Sequence, residues 1–256
     1  MFFKRLNLQN ALVLAAGLGV IVVSYLLKGS DIKAILHPGA LLIVVGGTLC
    51  AACLNFSVPK VIKAFSDAKS LFVSKKDTAR EDIQLLGELS KYARRKGILA
   101  LKDVIPQVEN DFIKKCLRTC LEESSAETLE RSLRNYTTYE NKSDITSIEV
   151  FEELGGYAPT FGIVGAVIGL IQITSNTTDM SALMPGIATA FCATLWGLAL
   201  ANLVFLPISG NFRNALKDKT MFQNIVIKSV VAIFQSQSTI VVNDDLQEFV
   251  EKNLAK

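Results

Sequence analysis

The four longest apolar stretches of this sequence contain no aspartate, glutamate, lysine or arginine. They are residues 11–27, 39–56, 154–173 and 184–208. A membrane protein that moves ions by itself is expected to carry an ionisable group within the bilayer. Because these stretches carry none, a partner must supply the ion-binding group if the chain works with ions.

Residues suited to metal, redox or nucleophilic chemistry are also scarce, or lie at unsuitable spacings. The only histidine, His37, precedes a proline at the mouth of the second apolar stretch, where an interfacial role is favoured over a proton relay. One cysteine pair forms a C-x-x-C within a predicted membrane helix, and a second pair, four residues apart, makes a poor zinc site. We recognise no nucleophile–base pair, phosphate loop or metal cluster, so no enzyme, cofactor or metal is predicted. The five cysteines are Cys50, Cys53, Cys116, Cys120 and Cys192.

What is abundant is apolar sequence of membrane-spanning length. Half of the 256 residues are hydrophobic and the mean hydropathy is +0.36. A spanning helix needs about 20 mostly apolar residues, and only helices satisfy their backbone hydrogen bonds locally in lipid. The net charge of +3 is small, with no basic run interleaved with aromatics, so nucleic acid is not an expected partner. The sequence predicts an all-α integral membrane protein with four transmembrane helices in contact with lipid.

The distribution of lysine and arginine predicts the orientation of these helices. Of the 27 basic residues, 17 lie in residues 57–150 and six follow residue 208, whereas residues 174–183 contain none. Four spans place both termini and the long middle segment on one side, and the positive charge marks that side as cytoplasmic. The first apolar run is too long for a signal peptide and lacks a small-x-small cleavage site.

Four segments follow from this topology, and the two outside the membrane are predicted to be helical. Ser124-x-x-Glu127 is a capping-box pattern that opens a helix. No proline follows until Pro159, so one long helix is expected to enter the membrane. The segments are an N-terminal membrane hairpin over 1–56 (spans 8–27 and 37–56), a cytoplasmic helical domain between the second and third spans over 57–150, the third and fourth spans over 151–208 (154–173 and 184–208), and a cytoplasmic helical tail over 209–256.

Small residues form stripes along the third and fourth spans. Small side chains let helix backbones approach closely in lipid. One interpretation is packing between spans of a single subunit, and the other is a narrow surface for a central partner helix. The residues are Gly162, Gly165, Ala166 and Gly169 in the third span, and Ala190, Ala193, Thr194 and Gly197 in the fourth.

Two prolines lie near the cytoplasmic ends of the same two spans. Pro159 and Pro207 each remove an intrahelical hydrogen bond and favour a kink. Such a kink is either a static bend or a hinge that links events in the membrane to the cytoplasmic domain.

Several motifs resemble the MotA/PomA family, the A subunit of the bacterial flagellar stator. Residues 157–165, "YAPTFGIVG", are similar to the third-span signature of that family. Residues 193–197, "ATLWG", and 205–208, "FLPI", are similar to its fourth-span signature. Residues 94–103, "RRKGILALKD", resemble its cytoplasmic motif, and the four-span layout matches over nearly the whole chain.

The resemblance implies a mechanism and a set of partners. Members form a ring, expected to be a pentamer, around a dimer of single-span MotB-type subunits in the inner membrane. The MotB-type subunits carry the membrane aspartate that takes the ion, and ion flow becomes torque on a FliG-type rotor protein. By motif position Arg94 faces the rotor, and Pro159 and Pro207 couple to the ion. The stripe residues Gly162, Gly165, Gly169, Ala190, Ala193 and Gly197 would pack on the partner helix.

Two departures from the family pattern affect the predicted rotor contact and the inner end of the third span. Lys102 stands where the family usually has glutamate, so the rotor contact uses Asp103 or a different polarity. Gly156 stands where many members have aspartate, three residues before the third-span proline. Any role of that acid is absent or is taken by Glu152 or Glu153.

The coupling ion is predicted from the residues expected beside the partner's aspartate. Sodium needs several oxygen ligands, whereas a proton needs only the carboxylate and a water path. Sodium-type relatives tend to have threonine where Ala166 stands, and Thr194 occurs in both kinds. Protons are therefore favoured, with sodium as the alternative.

Two other functions remain open at this stage. One is a TolQ/ExbB-like energiser of envelope transport, although such proteins resemble three-span chains without the N-terminal hairpin. The other is a membrane scaffold that conducts no ions, which the small-residue stripes also permit.

Overall fold

The computed structural model describes residues 37–71, 79–175 and 180–236, together with residues 16–17, 19–20, 23 and 27. Every regular element within these ranges is helical, which confirms the all-α class. The predicted first span over 8–27 and the end of the predicted tail lie mostly outside the described residues.

Long helices dominate the described chain, and two of them contain π-helical turns. Three runs are long and apolar enough to cross a membrane: Pro38–Phe56, Ala126–Thr174 and Leu183–Phe234. The elements are α1 Pro38–Leu41, a π turn Leu42–Gly46, α2 Gly47–Phe56, α3 Val58–Leu71, α4 Ala79–Lys96, 3-10 turns Ile98–Asp103 and Ile105–Gln107, α5 Asp111–Glu122, α6 Ala126–Ser175, α7 Met180–Ala199, a second π turn Leu200–Phe205 and α8 Leu206–Phe234.

These elements belong to two compact units. Among the described residues, the polar unit comprises residues 79–143 and 215–236, and the apolar unit comprises residues 144–214 together with those before residue 72. Helix α6 is continuous over 50 residues, as the absence of proline before residue 159 predicts. Helix α8 extends to Phe234, well past the predicted end of the fourth span at residue 208.

The polar unit is held by an apolar core between α4, α5, the first turns of α6 and the last turns of α8. Asn110 caps α5 by accepting hydrogen bonds from the amides of Phe112 (3.0 Å) and Ile113 (3.3 Å). Ser125 caps α6 by accepting from the Thr128 amide at 3.2 Å, one residue later than the capping box predicts. The buried core residues are Ile83, Leu86, Leu89, Ala93, Leu101, Ile105, Val108, Phe112, Ile113, Cys116, Leu117, Cys120, Leu129, Leu133, Val226, Ile227, Val230 and Ile233.

Two of the five cysteines lie inside this core. Burial raises the pKa of the Cys116 thiol to about 12, with a smaller contribution from the charge of Glu140, and burial raises that of Cys120 to about 11. Since the thiolate is the reactive form, both side chains stay protonated and act as small core residues.

A cluster of aromatic rings packs the apolar unit where α3, α6 and α8 meet. Phe151 is fully buried, with its ring 5.2 Å from Phe65, 5.9 Å from Phe212 and 6.5 Å from Phe205 between centroids. Ser147 donates a hydrogen bond of 2.9 Å to Asp67 beside this cluster. The three helices are therefore held together here by ring packing and by a polar contact.

Candidate functional site

The third and fourth predicted spans, in α6 and α7, touch each other through their backbones. A Cβ atom added to Gly197 would lie 2.6 Å from the Ala158 carbonyl oxygen. One added to Gly162 would lie 3.0 Å from the Ala193 carbonyl oxygen. Real Cβ contacts are essentially never as short as 2.6 Å and are rarely as short as 3.0 Å, so a larger residue is excluded at Gly197 unless the backbone shifts and is tight at Gly162. The two helices thus approach closely, as small residues allow.

All six residues predicted to pack on a partner helix are buried within the chain itself. Beyond the pairs above, a Cβ on Gly169 would lie 2.6 Å from the Gly186 carbonyl oxygen, and one on Gly165 would lie 2.5 Å from the Ala193 Cβ. The stripe therefore packs spans of one subunit together, and its role towards a partner helix stays a prediction. The six buried residues are Gly162, Gly165, Gly169, Ala190, Ala193 and Gly197.

The two residues predicted to influence the ion lie at the edge of this contact and are half-buried. Thr194 donates its hydroxyl hydrogen to the carbonyl oxygen of Ala190, four residues back, at 3.2 Å. The Thr194 hydroxyl oxygen can still accept a hydrogen bond or contact a cation through its lone pairs. Ala166 contributes no polar atom, so the site is poor in ligands for a metal cation.

Pro159 lies at one of the close contacts between α6 and α7. A Cβ on Gly197 would lie 3.3 Å from the Pro159 Cα, and one on Gly155 would lie 2.6 Å from a methyl group of Leu206. Proline supplies no amide to the carbonyl four residues back. Helix α6 nonetheless continues through this position to Ser175, so no break marks the proline.

Pro207 lies in the first turn of α8, directly after the π turn Leu200–Phe205. A proline removes one amide from the helix, and a π turn is a separate cause of helix kinks that is frequent at functional positions. The π turn Leu42–Gly46 is not next to a proline, and the Gly46–Gly47 pair at its end is the sequence feature that favours irregularity there.

Near these prolines, a carboxylate joins α6 to α8 in a way that residue spacing did not show. Glu152 accepts a hydrogen bond from Ser209 at 3.2 Å and forms an ion pair with Arg213. The absence of an acid at position 156 pointed towards Glu152 or Glu153. Of these, Glu152 is the residue that forms the ion pair with α8.

At the other end of the same spans, His37 joins the start of the second span to the fourth. Its Nε2 lies 3.2 Å from the Thr189 hydroxyl oxygen, and its Nδ1 accepts from the Ala40 amide at 3.4 Å. Sequence reasoning treated this histidine as an interfacial residue, because a contact across 152 positions leaves no local signal.

The predicted rotor-facing residues all belong to the polar unit. Arg94 is exposed in the last turn of α4, and Lys102 and Asp103 are exposed on the 3-10 turn that follows. Gly97, with φ of +87°, separates the helix from that turn. Within the described ranges, no group of three or more metal-ligating side chains is present.

Comparisons with known proteins agree with this architecture. The chain matches the MotA/TolQ/ExbB proton channel family over residues 104–223 and the motility protein A N-terminal family over residues 13–97. Motility protein A of Bacillus subtilis (strain 168) is 29% identical over 88% of this chain and 83% of that protein. Chemotaxis protein PomA of Vibrio alginolyticus is 26% identical over 96% of both. A chain in the structure of the flagellar MotAB stator complex from Bacillus subtilis superposes with a TM-score of 0.84 and 27% identity, covering 98% of each chain.

These similarities define a helical membrane protein of the ion-channel subunit class. Within that class, the chain belongs to the MotA/PomA family of motility proteins, as the span signatures imply.

We predict that Gly197→Ala weakens the fold, because the new methyl group meets a carbonyl oxygen at 2.6 Å. Overpacking of this kind typically costs about 1–3 kcal/mol. Gly210→Ala is the matched control, since nothing lies within 4 Å of its added Cβ. The control should be neutral, or more stable by up to about 1 kcal/mol. Thermal unfolding of the purified protein measures both, and equal melting temperatures for the two variants would contradict the close contact.

Proposed function

We propose that this chain is the A subunit of a flagellar stator, forming an ion channel with a MotB-type partner and converting ion flow into torque on the rotor. Family membership supports the assignment, as do relatives named for motility and the resemblance to a flagellar stator complex. The observation that assigns ion binding to the partner rather than to this chain is the absence of acidic and basic side chains from the four apolar stretches. The ion must therefore be held by the partner.

The topology that serves this function has four spans in the inner membrane, with both termini and the 57–150 domain in the cytoplasm. The concentration of lysine and arginine in residues 57–150 supports it. The subunit works in a ring, which we propose is a pentamer around two MotB-type helices. A TolQ/ExbB-like role is the weaker alternative, because the motility protein A N-terminal match covers the hairpin region.

Within each subunit, the third and fourth spans act as one piece. Their backbones touch at Gly162 and Gly197, with no flexible side chain between them. A change in the charge of the partner's aspartate is felt first by the half-buried Ala166 and Thr194 beside this contact. Pro159, through which α6 continues without a break, and the π turn before Pro207 lie at the cytoplasmic end of the pair, and a hinge for the pair is proposed there.

The function is tested by ion flux in vesicles. We predict that the purified chain alone conducts no more than empty vesicles, because its spans contain no acidic or basic group. Co-purification with its MotB-type partner should give flux, and replacing the partner's membrane aspartate with asparagine should abolish it. Flux through the chain alone, unchanged by any partner variant, would contradict the model.

Protons are the proposed coupling ion. Ala166 offers no oxygen and Thr194 offers one, which is too few to replace the water around sodium. We predict that swimming is unchanged in sodium-free potassium buffer and collapses with a protonophore. Ala166→Thr alone should not create sodium dependence. Speed that vanishes without sodium, at fixed pH and membrane potential, would overturn the proton assignment and leave the stator assignment intact.

Arg94 is proposed to act on a FliG-type rotor protein through its charge. It is exposed, and Lys102 and Asp103 lie on the exposed turn next to it. We predict that Arg94→Glu reduces motility and that charge reversal on the rotor restores part of it, since the sign of the interaction changes. Surface pairs contribute only about 0–1 kcal/mol each, so Arg94→Ala should have a small effect. Arg131→Glu, an equal charge change at an exposed position of α6, is the control, and failure of every rotor reversal would return Arg94 to ordinary surface charge.

A further inference from the structure

The side chain of His37 makes hydrogen bonds with both of its ring nitrogens. It precedes Pro38, which keeps the His37 backbone extended (φ −77°, ψ 108°) and places the ring over the first turn of α1. There Nδ1 accepts a hydrogen bond from the Ala40 amide at 3.4 Å. This amide is one of the first four of the helix, which have no partner within the helix. The ring therefore caps the second span in the manner of an asparagine or aspartate.

The direction of these hydrogen bonds determines where the ring proton lies. Because Nδ1 accepts from an amide, the proton of the neutral ring must be on Nε2. Nε2 then donates to the Thr189 hydroxyl oxygen at 3.2 Å, and that hydroxyl donates to the Pro185 carbonyl oxygen at 2.8 Å. A single chain of donors and acceptors thus runs from the start of the second span into the fourth.

A second proton on the ring is incompatible with this arrangement. It would occupy Nδ1 and point at the Ala40 amide, so that two donors would face each other at 3.4 Å. The positive end of the helix dipole also disfavours a cation at a helix N-terminus. The charged ring must therefore leave the cap, and the hydrogen bond to Thr189 is lost with it.

Other charged groups do not compensate for that proton within the described residues. The elements packed against α1 are α7 and the π turn Leu42–Gly46, and their only titratable side chain is the Cys192 thiol. The charged residues that precede these elements in the sequence are Asp31 and Lys33, before His37, and Asp179, before α7. All three lie outside the described ranges.

Packing between the second span, α7 and the third span connects these hydrogen bonds to the proposed ion pathway. Ala40 and Val44 of the second span pack on Cys192 and Ala193 of α7. Ala193 in turn touches the third span at Gly162 and Gly165. Movement at Thr189 thus acts on the helix that carries Thr194, five residues further on.

We propose that His37 is a positioning residue of the stator, fastening the second span to the fourth when neutral and releasing it when protonated. This proposal rests on the proposed function and topology, which place His37 at the outer face of the membrane. Acid outside the cell that protonates the ring therefore lowers the output of the stator through this residue. The effect is separate from that of acid on the driving force.

The test compares swimming speed across external pH at fixed membrane potential. His37→Asn keeps an acceptor for the cap but does not titrate, and Thr189→Val removes the hydroxyl while keeping the volume. The control is Thr174→Val, because the Thr174 hydroxyl donates to the carbonyl oxygen of Ile171 in its own helix, at 3.0 Å. Since all strains experience the same driving force, the ratio of their speeds isolates the histidine.

We expect the ratio of unmodified to His37→Asn speed to change at least about twofold between pH 7.5 and 5.5. Thr189→Val should behave at neutral pH as the unmodified chain does in acid, and Thr174→Val should behave as the unmodified chain. A constant ratio for His37→Asn, or a Thr189→Val strain that swims normally at neutral pH, overturns the proposal.

Hydrogen–deuterium exchange of the purified stator complex provides a readout that is independent of swimming. After correction for the intrinsic rate, the peptide over residues 37–44 should exchange faster at pH 5.5 than at pH 7.5, whereas one from α4 should not. Unchanged protection of 37–44 overturns the proposal even if the variants fail to assemble. If the unmodified chain supports no swimming, the proposed function fails, and the exchange data still decide whether the contact is acid-sensitive.

Discussion

The backbone contact between the third and fourth spans is the constraint on which the rest of the membrane structure depends. Gly162, Gly169, Gly186 and Gly197 allow carbonyl oxygens of one helix to lie where side chains would otherwise be. Contacts of this kind have no rotamers to adjust, so the two helices cannot slide past one another by small side-chain changes. Motion driven by ion binding must then occur at the ends of the pair or between subunits.

Excluding acidic and basic side chains from the spans has a second effect on how the molecule is built. Charged contacts of the apolar unit lie outside the apolar stretches, as Glu152 with Arg213 and Asp67 with Ser147 illustrate. Such contacts cost little there because water is near, whereas a charge deep in lipid is expensive. The interior of each span is left with packing, backbone hydrogen bonds and a few hydroxyls.

Much of this fold was predictable because it depends on patterns read over many residues. Apolar length predicted the spanning helices, and the lack of proline before Pro159 predicted the unbroken α6. Residue spacing also identified which residues share a helix face, but it could not say what that face packs against. The stripe around Gly162 was therefore compatible both with a partner helix and with the fourth span of the same chain, which contains Gly197. The His37–Thr189 contact was missed because the two residues are 152 positions apart. The π turns were missed because a single wide turn barely changes the apolar pattern.

The π turn Leu200–Phe205 has a geometric consequence for everything beyond it. An α-helix advances by about 100° for each residue, and a π turn absorbs one residue more than an α turn does. The face that α8 shows after Phe205 is thus rotated by roughly one such step from where an unbroken helix would present it. Ser209 and Arg213 meet Glu152 in that rotated register. Deleting one residue from the wide turn would leave a regular helix, with a different set of side chains aimed at the end of the third span.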